Sequence, residues 1–298
     1  MIRGWSVELL KSATWHALIP VSIGFAVTQS YVLVSAGNVG ADAHAYWLAS
    51  NRDGHFYGAP PTYRDAYLYA PVFAQVVWPL AQLPWPIFLG IWALLQLAAL
   101  IWLLRPLPAL HALAVAGFLW TEVLLGNVFL FFAVALVLAV RGKSEALLLT
   151  LLTKVTCGVG VLWFLVRRDW TALVRILLVG GVLIGLSVTV DPEAWIDWIR
   201  FLAENSGNGT GAIAVRLVVS VAIVAIAARL RRSWPLAFAT YLACPLILAF
   251  NPLAVLAATP RLVKEDALVR PGRGRHPLVH AESPVSGVGR DRGSHAGG

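Results

Sequence analysis

Long apolar stretches separated by short basic or proline-rich breaks dominate the chain. A helix needs about 20 apolar residues to cross the hydrocarbon core of a bilayer, and residues 15–36, 87–104, 107–125, 127–140, 171–190 and 212–228 approach that length. These are six predicted crossings. The first lacks a small-residue cleavage site of the usual kind near its end, so it is read as a retained span and not as a signal peptide.

Three further apolar stretches do not fit a simple crossing. Residues 71–86 contain Pro71, Pro79, Pro84 and Pro86, and a crossing there would invert every later basic cluster, so the segment is expected to re-enter or to lie along the surface. Residues 144–166 have basic signals at both ends and break near Thr153, Lys154, Thr156, Gly158 and Gly160. That pattern predicts a segment that enters and returns, which is tolerated at membrane depth only where the backbone is buried in protein or lines a wet cavity. Residues 234–260, interrupted by Asn251-Pro252, predict another hairpin. After Val263 the composition turns to Arg, Gly, Pro, Ser and His. The expected organisation is therefore one polytopic domain over 1–263 and a disordered basic cytoplasmic tail over 264–298. No repeat of a solenoid or transporter kind is present.

Basic positions set the orientation. Arg3 and Lys11, Arg141 and Lys143, Arg167 and Arg168, and Arg229, Arg231 and Arg232 all fall between apolar runs and are expected on the cytoplasmic side. The loops 37–69 and 191–211, the second of them acidic, fall on the outer side. Of the 298 residues 59% are apolar and 13% charged, against roughly 45–50% and 25% in a soluble domain, which excludes a water-soluble globule. The net charge of +8 is spread over short turns, not gathered on one face, so no nucleic-acid partner is indicated. Thirteen Trp suit interfacial anchoring. Cys157 and Cys244 lie far apart inside apolar stretches, which predicts neither a disulfide framework nor a Cys-rich metal site. The fold class is all-α: a polytopic transmembrane helical bundle of the cytoplasmic membrane, with re-entrant half-helices and a structured outer loop.

Candidate chemistry collects on the outer side. Asp42, His44, Tyr46 and Trp47 follow the first span directly. A carboxylate there can act as a general base on a hydroxyl, or it can cap an interfacial helix. Tyr57, Tyr67 and Tyr69 offer aromatic platforms of the kind sugars pack on, and equally of the kind that anchors a protein at an interface. Lys154 sits in an apolar stretch, where an ammonium costs on the order of 2.5–3.5 kcal/mol unless compensated; a phosphate would compensate it, as would an ion pair. Glu122 and Arg216 are also intramembrane charges near outer helix ends. His44, His55 and His111 are irregularly spaced and on different sides, which argues against a shared metal.

Taken in order, these residues resemble a known family. Gly-x-Asp-x-x-x-Tyr-Trp at Gly40 to Trp47 is followed by Tyr67-Leu68-Tyr69-Ala70-Pro71-Val72-Phe73, which leads into Pro79-Leu80-Ala81-Gln82-Leu83-Pro84. Then come Gly126-Asn127, where the family usually has Gly-Gln-x-Asn, and Lys154 ahead of Arg167-Arg168-Asp169-Trp170. From about residue 15 to 250 the chain resembles the polyprenyl-phosphate-sugar-dependent glycosyltransferases of the GT-C fold. Within them it is most similar to glycosyltransferase family 87, which includes actinobacterial α-1,2-mannosyltransferases.

The resemblance implies Asp42 as catalytic base and Lys154, with Arg216, as contacts for the donor phosphate. His44, Tyr46, Tyr67, Tyr69, Glu122 and Asn127 are then candidate substrate contacts. It implies a polyprenyl-phosphate sugar donor, mannose first, and a lipid or glycan acceptor; no cofactor is expected, and the histidine spacing offers no metal site. Two other readings stay open on the sequence: a flippase for a lipid-linked sugar, and a family member without activity.

Overall fold

The computed structural model describes residues 2–51, 56–61, 64–205, 210–245 and 251–268. Among them every regular element is helical. In chain order these are α1 (Ile2–Ser35), α2 (Ala41–Asn51), α3 (Pro71–Ala81), α4 (Trp85–Leu104), α5 (Ala109–Leu125) and α6 (Phe129–Val140). The short helices α7 (Leu148–Leu151) and α8 (Val161–Val166) follow, then α9 (Trp170–Val190), α10 (Pro192–Asn205), α11 (Thr210–Leu230), α12 (Pro235–Ala243) and α13 (Thr259–Leu268).

Four of these are long and apolar enough to cross a membrane: Ala17–Ser35 of α1, α4, α9 and Gly211–Leu230 of α11. Their starts and stops are set locally. Pro86 occupies the first turn of α4, where its missing N–H costs nothing, and Asp169 caps α9 by accepting from the Ala172 N–H at 3.1 Å. Val27, Leu177 and Val218 stay exposed, as lipid-facing positions do when the bilayer itself is apolar.

Residues 107–140 depart from the expected pair of crossings. Gly126 ends α5 in the left-handed region at φ 74°, and α6 leaves at a bend of 115°. With 12 residues, α6 reaches only about 18 Å. It packs against α4 and the 3-10 helix Asn251–Ala258, so the bent pair counts at most as a fifth span. The expected breaks elsewhere are present. Residues 71–86 divide into the 11-residue α3 and the start of α4, and residues 144–166 into two 3-10 turns, α7 and α8. A Cβ at Gly158 would collide with the Leu151 side chain, which is how the two limbs around Lys154 come together.

Contacts sort the two ends of the bundle. At one, Arg141 pairs with Glu265, Arg175 donates to the Gly142 carbonyl and the Ser144 hydroxyl to the Ala172 carbonyl at 3.0 Å. These join the basic turns at 141–143 and 167–175 to α13. At the other, the Gln75 amide and the Trp195 indole both reach Ser187, at 3.3 and 2.9 Å, which gathers α3 and α10. Ala172 and Ser187 lie about 22 Å apart along α9.

One expectation is corrected. The ordered fold continues past Val263 to Leu268, because α13 buries Asp266. That carboxylate accepts from the Ser233 N–H at 2.8 and 2.9 Å, the Ser233 hydroxyl at 2.7 Å and the Trp234 N–H at 3.3 Å. Residues 269–298 lie outside the described residues. Asp266→Ala would strand several buried donors, so it is expected to lower stability by about 3 kcal/mol, read as a fall in detergent-phase unfolding temperature; an unchanged temperature would make α13 dispensable. Cys157 and Cys244, remote in sequence, meet as buried free thiols with their sulfurs 3.2 Å apart, because the 3-10 turn Val155–Gly160 packs on α12.

Candidate functional site

The site is built on the turn between α5 and α6. Trp92 donates to the Gly126 carbonyl at 2.8 Å, and the Gln96 amide donates to the Asn127 carbonyl. Glu122, one turn back on α5, accepts from the Phe129 N–H at 2.7 Å. Two helices thus hold the turn, and no side chain fits at Gly126, where a Cβ would lie 2.6 Å from that of Ala43. The same closeness brings α2 in, since the Gly40 N–H donates to the Leu124 carbonyl at 2.7 Å. Trp92 lies two helical turns in from Trp85, so the site is recessed by about 10 Å from that end of α4.

Asp42 stands in the first turn of α2. Its Oδ2 accepts from the side-chain amide of Asn127 at 2.8 Å and from that of Asn251 at 3.3 Å. The Asn127 Oδ1 accepts in turn from the Lys154 ammonium at 3.3 Å and from the Val128 N–H at 2.8 Å. Lys154 also sits 3.9 Å over the Phe129 ring and 5.5 Å from the Tyr69 ring centre, a cation–π setting that compensates an ammonium among apolar groups. A carboxylate and an ammonium are therefore coupled through one amide. Burial pushes the Asp42 carboxyl above the usual aspartate range, opposed by the Asn127 amide, the Lys154 charge and the Asn251 amide.

These groups line one cavity of about 380 Å³. Its remaining wall is mainly apolar, with Leu68, Val155, Leu202, Pro245 and Pro252. Thr156 and Trp198 also line it, and the Thr156 Oγ1 and Trp198 Nε1 are buried with no hydrogen-bond partner among the described residues. Buried polar atoms without partners are rare in folded proteins.

A family model for glycosyltransferase family 87 matches residues 67–272, more than two thirds of the chain. The chain belongs to glycosyltransferase family 87. No curated protein and no solved structure matches it. As a family 87 member with membrane-length helices it is a multi-pass membrane glycosyltransferase, which takes a sugar donor and an acceptor. The matched stretch holds Asn127, Lys154 and Asn251 but begins after Asp42, whose place in the site rests on geometry.

Not every expected residue of this glycosyltransferase reaches the cavity. Asp42, Tyr69, Asn127 and Lys154 do. Tyr46 and Tyr67 are buried in the core behind it: the Tyr46 hydroxyl meets that of Tyr69 at 3.0 Å, and Tyr67 donates to the Ala70 carbonyl at 3.0 Å. Glu122 supports the turn from beneath. His44 is drawn away by Asp65, at 2.7 Å, and packs against Trp47 and Trp85. Arg216 donates to the Cys244 and Pro245 carbonyls, each at 2.9 Å, because carbonyls at a helix end in apolar surroundings need a donor. It is thus committed to the backbone and absent from the cavity lining. His111 packs edge-on against Trp15, and His55 lies outside the described residues.

The sequence reading missed Asn251, Thr156 and Trp198 as site residues. Asn251-Pro252 is visible in the sequence as a break, but nothing in it points toward Asp42. Trp198 reads as one more interfacial Trp.

Proposed function

We propose that this glycosyltransferase moves a sugar, mannose first among candidates, from a polyprenyl-phosphate donor to a hydroxyl of a lipid or glycan acceptor on the outer face of the cytoplasmic membrane. The observation that carries this reading is the Asp42–Asn127–Lys154 chain in one recessed cavity. Asp42 takes the proton of the acceptor hydroxyl as its oxygen attacks the anomeric carbon. The bond from that carbon to the phosphate oxygen breaks, and the charge gathering on the departing polyprenyl phosphate is met by Lys154. One displacement inverts the anomeric centre. The leaving group is already a phosphate, so no nucleotide-binding loop is required for the step. The apolar part of the wall suits an isoprenoid chain arriving from the bilayer, and the basic turns at the far end support the outer-side placement.

The deciding experiment supplies the purified protein in vesicles with polyprenyl-phosphate-mannose and a lipid acceptor. Formation of mannosylated product supports the reading. Translocation of the donor without transfer would replace it with lipid-linked sugar transport. Within the same assay, Trp198→Phe keeps the aromatic body and removes the N–H, and Thr156→Val keeps the shape and removes the hydroxyl. Each is expected to raise the donor or acceptor KM by about 3- to 10-fold, the worth of one neutral hydrogen bond, with kcat nearly unchanged. Unaltered KM in both would remove these two groups from the binding surface.

A further inference from the structure

Away from this cavity, at the basic end of the bundle, lies a larger concavity that the transfer reaction does not use. A groove of about 700 Å³ runs between α1, α4 and α5, walled by Ile23, Leu97, Ile101, Leu104, Leu113 and Trp120. The indole N–H of Trp120 is already spent on the Ser30 hydroxyl at 3.0 Å, which leaves the wall apolar. Its one charged lining residue is Arg105, the exposed residue that ends α4.

Arg105 does not stand alone. One turn earlier on α4, the Trp102 ring is covered by the Arg261 guanidinium at 3.8 Å and approached by that of Arg141 at 5.4 Å. Arg261 also donates to the Trp102 carbonyl. Arg105 and Trp102 lie one turn apart at the end of α4, so the Trp102 cluster adjoins the mouth of the groove. Glu265 pairs directly with Arg141 and its charge also acts on Arg261, while the adjacent Asp266 is taken up by Ser233 and Trp234. Among the described side chains, Glu265 is the carboxylate ion-paired within this group of three guanidiniums.

An apolar groove with an unbalanced cationic head is complementary to one kind of molecule. We infer that the groove between α1, α4 and α5 holds a single anionic glycerophospholipid, its phosphate against Arg105, beside the Trp102 cluster, and an acyl chain along the groove. Exchanging one lipid tail for another in a bilayer gains little, so selectivity resides in the head group, where each basic residue near the membrane surface favours an anionic lipid about fivefold. The same two helices carry the Gly126–Phe129 turn, so the lipid would brace the elements on which the site is built. This inference does not depend on the donor, sugar or acceptor proposed above.

The test uses full-length protein purified in detergent and stripped of lipid, with phosphatidylglycerol or phosphatidylcholine added back. Native mass spectrometry and thermal unfolding are the readouts. Phosphatidylglycerol is expected to bind roughly 5- to 25-fold more tightly than phosphatidylcholine and to raise the unfolding temperature, while glycerol 3-phosphate does neither. Arg105→Gln should reduce the preference about fivefold, Arg105→Lys should keep it, and Ala112→Phe, which fills the groove, should weaken both lipids alike. Equal binding of the two lipids, a preference that survives Arg105→Gln with Arg141→Gln, an effect matched by glycerol 3-phosphate, or full lipid binding in Ala112→Phe would each overturn the proposal.

Discussion

Asp42→Asn is expected to lower sugar transfer by roughly 10²–10⁴-fold, the usual contribution of a positioned general base, with membrane insertion and donor affinity retained. Asparagine keeps the size of the side chain and one acceptor oxygen for the Asn127 amide, so the hydrogen-bonded frame survives and only the capacity to take a proton is lost. The pH dependence follows from the same environment. Burial raises the Asp42 carboxyl, and the base works only when ionised, so the acid limb of kcat should lie above the ordinary aspartate range. Asn127→Ala should move it higher still, since it removes a hydrogen bond that favours the charged form.

Linkage has a definite sign here. A carboxyl raised in the fold binds its proton more tightly folded than unfolded, so its contribution is present at low pH and is lost as pH rises through the folded value. At neutral pH the ionised Asp42 therefore subtracts from stability, and Asp42→Asn should unfold no earlier than the natural protein. Near-normal turnover in Asp42→Asn would remove it as the base. Asp65, tied to His44, and Glu122, tied to the Phe129 N–H, would be the carboxylates to test next.

Lys154→Met should lower kcat/KM for the donor by about 10- to 100-fold, through a raised KM and a lowered kcat. The flexible thioether fills much of the lysine volume, while the lost charge-assisted contact to phosphate is worth roughly 1.5–3 kcal/mol. Since that contact strengthens as the phosphate departs, kcat falls along with affinity. The fold should hold: Asn127 keeps its bonds to Asp42 and to the Val128 N–H, and an ammonium taken out of apolar surroundings no longer has to be compensated. A donor lacking the phosphate charge would bind natural protein and variant equally. Unchanged KM and kcat for the charged donor would make Lys154 a structural cation, held by the Phe129 and Tyr69 rings.

Much of the architecture is legible in the residues because a bilayer enforces length. A helix that crosses needs a long apolar run, so α1, α4, α9 and α11 announce themselves, and the prolines of 71–86 mark a segment too broken to cross. Lys154 is legible for a related reason, since a charge in such a run requires an explanation. The order of motifs from Gly40 to Trp170 likewise indicates the family. Hydropathy, however, records depth and not direction: it places Arg216 and Glu122 in the membrane without showing that one serves two carbonyls and the other a backbone N–H.

Tertiary packing decided the rest. Asp42 and Asn251 meet across 209 positions of sequence, and Cys157 and Cys244 across 87, because short helices from distant parts of the chain fold back onto α6. The left-handed turn at Gly126 converts an expected crossing into the floor of the site. Apolar runs of similar composition pack in many arrangements of nearly equal burial, so the choice among them rests on close fits, such as Ala43 against Gly126, and on satisfying each buried polar group. Those are properties of side chains that only the assembled bundle brings together.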